Sequence, residues 1–226
     1  AILPKHLLEK LPSAEWKSAE FNRKPVGNGP YKLKEWKAQQ YIELEANPKY
    51  YRGRPPLDRI IFKIVPDQEN LAIQIGSGEI DFLESLPPKL YKKMAAANVV
   101  AVLLPGTALY TKIPYTKARP YMDVGCPIAI ASDYNPGSCM IGNLPFLAAT
   151  AALHCGLDLP HTLAGITWVA ASSLGLSHCK GALAIGHDAD LVIYDFPSPE
   201  HWLWDMGGTP PREVWVRGER VSSVDG

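Results

Sequence analysis

Near residues 93–99 the chain changes its hydrophobic pattern, and no single repeating architecture accommodates both sides of the change. Upstream, Tyr31-Lys-Leu-Lys-Glu-Trp36 and Tyr41-Ile-Glu-Leu-Glu45 alternate apolar with charged residues, the period-two pattern of half-exposed strands. Downstream, Val99-Val-Ala-Val-Leu-Leu-Pro105 and Pro127-Ile-Ala-Ile-Ala131 are short, almost continuous apolar runs, as in parallel strands covered on both faces. The chain is therefore expected to fold as two unequal α/β pieces, with a boundary between residues 93 and 94.

Charge and cysteine follow the same boundary. Residues 1–93 hold 16 basic against 12 acidic side chains, a net charge of +4; residues 94–226 hold 7 against 11, a net charge of −4. The overall neutrality cancels two unlike halves. All four cysteines (Cys126, Cys139, Cys155 and Cys179) lie in the second half and form no CxxC pair. A cysteine-free half suits an extracytoplasmic setting, whereas unpaired cysteines without regular spacing suit a reducing cytosol. No apolar run approaches the roughly 20 residues of a membrane span, and no basic patch is large enough to predict nucleic-acid binding. The opening Ala1-Ile-Leu-Pro-Lys5 lacks a signal-peptide pattern, and the chain reads as a fragment.

In the first half, the turn cluster Gly27-Asn-Gly-Pro30 precedes an expected hairpin or meander over 31–45. Residues 60–65, Ile-Ile-Phe-Lys-Ile-Val, predict a strand buried on one face. Asp67 is the expected N-cap of a helix through residue 75, and residues 79–82 predict a further strand, completing a β-α-β unit. Tyr50, Tyr51 and Arg52 read more simply as loop residues than as ligand contacts.

These residues carry a resemblance. Val26-Gly-Asn-Gly-Pro-Tyr-Lys-Leu-Lys-Glu-Trp36, Ala46-Asn-Pro-Lys-Tyr-Tyr51 and Gly78-Glu-Ile-Asp-Phe82 resemble the oligopeptide/dipeptide-type solute-binding proteins of ABC importers, in order and in spacing. The resemblance implies a β-rich fragment of one lobe. A single lobe lacks the opposing wall that encloses a peptide.

In the second half, helices are expected over 118–125, 144–157 and 160–174, with strands over 190–194 and 213–217 and a returning strand at Val221. Asp133 draws the chemistry. It lies just beyond the carboxyl end of the 127–131 strand, the edge where β/α barrels place catalytic groups. A carboxylate there can ligate a metal or take a proton from metal-bound water. Its plainer role is to cap the turn at Asn135-Pro-Gly137.

The wider pattern is specific. Ala101-Val-Leu-Leu-Pro-Gly106, Ser132-Asp-Tyr-Asn-Pro-Gly-Ser138 and Gly181-Ala-Leu-Ala-Ile-Gly-His-Asp-Ala-Asp-Leu-Val-Ile-Tyr194 resemble imidazolonepropionase, of the metal-dependent amidohydrolase superfamily, over residues 95–222. The resemblance implies a partial (β/α) barrel with terminal β-strands, zinc or iron in the intact family, Asp133 as metal ligand and water activator, and Asn135, Gly137 and Ser138 at the pocket for the substrate's propionate. The family's His-x-His pair, its further histidines and its substrate-binding Arg, Tyr and Glu have no counterparts here. His6, His154, His161, His178, His187 and His201 lack that spacing; His154 reads as a surface or satisfied helix residue and His187 as solvated. One carboxylate cannot hold a catalytic zinc, which takes three protein ligands, so no bound metal is expected. Open strand edges predict self-association.

Overall fold

The computed structural model describes residues 5–9 and 11–223. The opening residues 1–4, Lys10, the side chains of His6 and Ser223, and residues 224–226 lie outside the described part. The chain divides into two compact units, residues 1–71 and 72–226. No described helix is long and apolar enough to cross a membrane.

The first unit holds a short helix α1 (Lys5–Leu8) and an antiparallel sheet of β1 (Tyr31–Lys37), β2 (Tyr41–Ala46) and β3 (Arg59–Lys63), in the order β1-β2-β3. The hairpin is where alternation predicted it. Its turn closes through Gln39, whose φ of 61° is left-handed. Leu33 pairs with Leu44, and Lys34 Nζ reaches the buried Glu43 at 2.8 Å. The Tyr41 hydroxyl donates to Glu35 at 2.6 Å. β3 forms as predicted, yet its apolar side chains are not buried: Ile61 and Phe62 stand in solvent, Phe62 at 56% exposure. Tyr51, in the loop between β2 and β3, is also exposed, beneath the Arg52 guanidinium.

The division falls within α2 (Gln68–Gly76), which Asp67 caps as expected by accepting the Asn70 N–H at 2.6 Å. Residues 79–82 form no strand. A strand exists only by pairing, and this segment has no ladder partner among the described residues. The expected β-α-β unit is therefore absent.

In the second unit, α3 (Tyr91–Ala96) buries Met94 with Leu90 and Ala72, flanked by Ile75, Leu86 and Val99. β4 (Ala101–Leu103) leads into α4 (Pro105–Thr111) and α5 (Arg119–Met122), then β5 (Ile128–Ile130). β4 and β5 pair in parallel, Val102 opposite Ala129. β5 is buried throughout, as its unbroken apolar run required. The core gathers Leu103, Ile128, Ile130, Ala151, Cys155 and Leu157.

α6 (Leu144–Thr150) begins at Asn143, whose side chain accepts the Phe146 N–H, and runs on into a π-helical turn, Ala151–Cys155. The helix expected over 160–174 is instead two, α7 (Leu159–Ile166) and α8 (Trp168–Ser173). Thr167 breaks it with φ −123° and ψ −105°, its hydroxyl bonded back to the Leu163 carbonyl at 2.7 Å. Gly165 lets α7 approach β5, since a Cβ there would stand 3.0 Å from the Ile128 carbonyl. The chain ends in an antiparallel sheet of β6 (Leu191–Ile193), β7 (Glu213–Val216) and β8 (Glu219–Ser223), with α9 (Pro199–Trp204) between β6 and β7. The whole is a β-rich lobe fragment joined to a two-strand portion of a β/α barrel with terminal strands.

Candidate functional site

The carboxyl edge of the β4–β5 sheet brings Asp133 beside the start of α4. The Leu-Leu-Pro-Gly-Thr segment turns from β4 straight into that helix, with Pro105 in its first turn, where a missing N–H costs nothing. Thr107 thereby faces Asp133, and its hydroxyl donates to Asp133 Oδ2 at 2.7 Å. The Ser138 hydroxyl donates to the same oxygen at 2.9 Å. These hydroxyls, Thr107 first, hold the Asp133 carboxyl below the ordinary carboxylate range, against the small opposing effect of burial. A carboxylate stabilised in this way takes up a proton reluctantly.

All four residues singled out in the sequence meet here. Asn135 Oδ1 accepts the N–H groups of Gly137 and Ser138 at 2.8 and 2.9 Å, and Asn135 Nδ2 donates to the Asp133 carbonyl at 2.6 Å and to Ser138 Oγ at 2.8 Å. The turn reading of the Asn-Pro-Gly segment is thus realised by Asn135 itself, whose side chain closes it. Thr107 was missed in the sequence. It lies 26 residues from Asp133, and only its place directly after the Leu-Leu-Pro-Gly motif marked it. Thr107 also lines a cavity of about 200 Å³ with Leu104, Ile113, Tyr115 and Cys155.

The remaining residues do not fit a zinc or iron centre. The groups around Asp133 are two hydroxyls and an amide, and no three His, Cys, Asp or Glu side chains among the described residues are placed to share an ion. Histidines among the described residues are engaged elsewhere: His154 stacks on Tyr115, His161 pairs with Asp158, His178 lies beside the Gly175 carbonyl, and His201 contacts Ser198. His187 is half-buried, with Nε2 beside the Ser177 carbonyl at 3.1 Å, so it is less solvated than its turn position suggested. Burial pushes the Cys126 and Cys155 thiols up, away from reactivity.

Two family models match. That for bacterial extracellular solute-binding proteins, family 5 middle, covers residues 1–124, and that for the amidohydrolase family covers residues 84–221. The chain belongs to both families. It is a chimera in which the two matches share residues 84–124, a zone that includes the Leu-Leu-Pro-Gly motif. The oligopeptide-binding protein AppA of Bacillus subtilis is 45% identical over 104 residues, 46% of this chain and 19% of that protein. An imidazolonepropionase of Symbiobacterium thermophilum is 36% identical over 152 residues, 67% of this chain and 36% of that enzyme. The chain thus spans about a fifth of the first relative and about a third of the second. An adenosine deaminase structure from Xanthomonas campestris, with bound Zn, shares the fold of the amidohydrolase part at a TM-score of 0.53 and 22% identity, over 62% of this chain and 35% of that one.

Proposed function

We propose that this chain is a composite without hydrolase or transport activity of its own, joined near residues 93–94. Its second part derives from an enzyme that hydrolyses imidazolonepropionate, a metal-dependent cleavage of a cyclic amide C–N bond. Asp133 takes the metal-ligand and catalytic position, with Asn135, Gly137 and Ser138 in the position that holds the substrate's carboxylate. The observation that carries this reading is that Asp133 belongs to no group of three or more His, Cys, Asp or Glu side chains placed to share an ion among the described residues. Imidazolonepropionate offered to the purified chain with and without added zinc or iron tests it. Turnover that depends on Asp133 would show a working site and overturn the reading.

A second reading, solute binding by the first part, draws support from one observation. An open groove of about 810 Å³ is lined by Arg23, Lys24, Leu33, Lys34, Glu35 and Trp36 within the first unit, with Lys24 and Lys34 paired to Glu20 and Glu43. It offers charges of both signs and an aromatic face to a peptide. Calorimetry against a peptide library decides it, and the absence of any heat of binding removes it. The two memberships point to opposite compartments, extracytoplasmic for the first part and cytoplasmic for the second. Fractionation of cells expressing the chain distinguishes them.

A further inference from the structure

We infer that Asp133 serves this chain as an internal clamp, holding the 132–139 loop against α4 through Thr107 and Ser138, in the position where the proposed reading puts a metal ligand. Only that positional comparison rests on the proposed reading; the clamp rests on the hydrogen bonds.

Both ends of the loop are fixed to the same helix. At its head, Oδ2 of Asp133 accepts the hydroxyls of Thr107 on α4 and Ser138 in the loop. At its tail, the wholly buried Cys139 packs so closely on α4 that a Cβ at Gly106 would lie 2.6 Å from its Sγ. Between them, Asn135 and Cys139 exchange backbone hydrogen bonds of 2.7 and 3.2 Å, and the Asn135 side chain takes up the Gly137 and Ser138 N–H groups. The donors that a substrate carboxylate would need are thus spent inside the loop. Asp133 itself sits at φ 50°. That left-handed backbone costs an L-residue free energy, and the two hydroxyl bonds offset the cost. Hydroxyls and an amide satisfy a carboxylate, but they do not complete the ligand set of a divalent transition metal.

Thermal unfolding of the full chain tests the clamp, with Asp133→Ala, Thr107→Val, their double variant and Ser138→Ala, each with and without equimolar zinc chloride. A fall in Tm on the order of 2–4 °C is expected for each hydrogen bond removed. Thr107→Val should cost little more once Asp133 is already alanine, because the threonine acts through that carboxylate. Zinc should shift the wild type and Asp133→Ala equally. Additive losses, unchanged Tm values, or a zinc stabilisation that Asp133→Ala abolishes would overturn the inference. Should Asp133→Ala not fold, Thr107→Val and Ser138→Ala decide it, since each removes one donor to Oδ2 and neither removes the carboxylate. These readouts are of stability and not of turnover, so additive losses or unchanged Tm values would sink the clamp and leave the proposed function standing.

Discussion

Tyr121 and Tyr91 stack with ring centroids 4.1 Å apart, and the Tyr121 hydroxyl donates to that of Tyr91 at 2.8 Å. The pair straddles the predicted join, with Tyr91 upstream and Tyr121 downstream. Leu90 and Met94 are buried beside Ala72 in the same unit. Residues 72–93 therefore fold with the second piece, whatever their ancestry. Tyr91→Ala removes a half-buried aromatic face and leaves the Tyr121 hydroxyl without this partner. A loss of about 1–3 kcal/mol in denaturant unfolding of the second unit is expected, whereas Tyr91→Phe should cost about 1 kcal/mol.

The same pair gives a pH dependence. Burial, and then the hydrogen bond to Tyr91, push the Tyr121 phenol well above its usual range, so the folded state resists its ionisation. The unfolded chain ionises near pH 10. The stabilisation linked to the neutral phenol is complete below that pH and is lost as pH rises through the raised folded value. Wild type should lose stability progressively from about pH 10 upward, toward the raised folded value, relative to Tyr121→Phe. Parallel curves for the two proteins would refute the coupling.

Asp158 caps α7 by accepting the His161 N–H at 2.9 Å, and its carboxylate also meets His161 Nδ1 at 2.6 Å. The backbone bond first, and the imidazole second, hold its carboxyl below the ordinary range. Its contribution is present above the unfolded value near pH 3.9 and disappears as pH falls through the lower folded value. Asp158→Ala should cost about 1 kcal/mol at pH 7. Asp158→Asn should retain most of the cap and lose the acid-dependent part. Chemical denaturation at pH 7 and pH 3 separates the two contributions.

The hairpin of β1 and β2 was legible because alternation describes each strand and the turn between them. The buried run at β5 was legible for the opposite reason, an unbroken apolar run with no face left for water. Exposure of β3 was not. Ile61 and Phe62 record a preference for burial, but a sequence pattern does not say whether the covering layer is present in the same chain. The strand expected at 79–82 failed for a related reason, since pairing is not a local property. The helix break at Thr167 has no local mark of its own, since Thr162 makes the same hydroxyl bond four residues back inside an unbroken helix. At the site, the residues were legible but their purpose was not: the donor that claims Asp133 comes from Thr107, and only the folded chain brings the two together.

Gly106 tests the tightness of that arrangement. A Cβ there would meet Cys139 Sγ at 2.6 Å and Leu147 Cδ2 at 2.8 Å, both on fully buried side chains. Gly106→Ala should therefore destabilise the second unit by about 1–3 kcal/mol through overpacking. Cys139→Ala opens the space where the new methyl would go. The double variant should be more stable than the sum of the two single losses predicts, by at least about 0.5 kcal/mol. Strict additivity would show that the two sites do not press on one another.

β4 has one ladder neighbour, β5, so its other edge carries no strand among the described residues. Val102 on that strand is 44% exposed, and Leu104, Leu109, Tyr110 and Ile113 nearby in the chain are also exposed. An open edge flanked by apolar side chains is a template for pairing with another chain. Association should grow with concentration in sedimentation velocity, with larger species appearing toward the top of a 5–100 µM series (an order-of-magnitude range for such species). Lysine on an edge strand opposes pairing, because its ammonium must be desolvated to admit a neighbour. Val102→Lys should return the chain toward a monomer without unfolding it, as shown by an unchanged far-UV spectrum. A wild type that stays monomeric across the series, or a variant that associates as strongly, would place the contact elsewhere or nowhere.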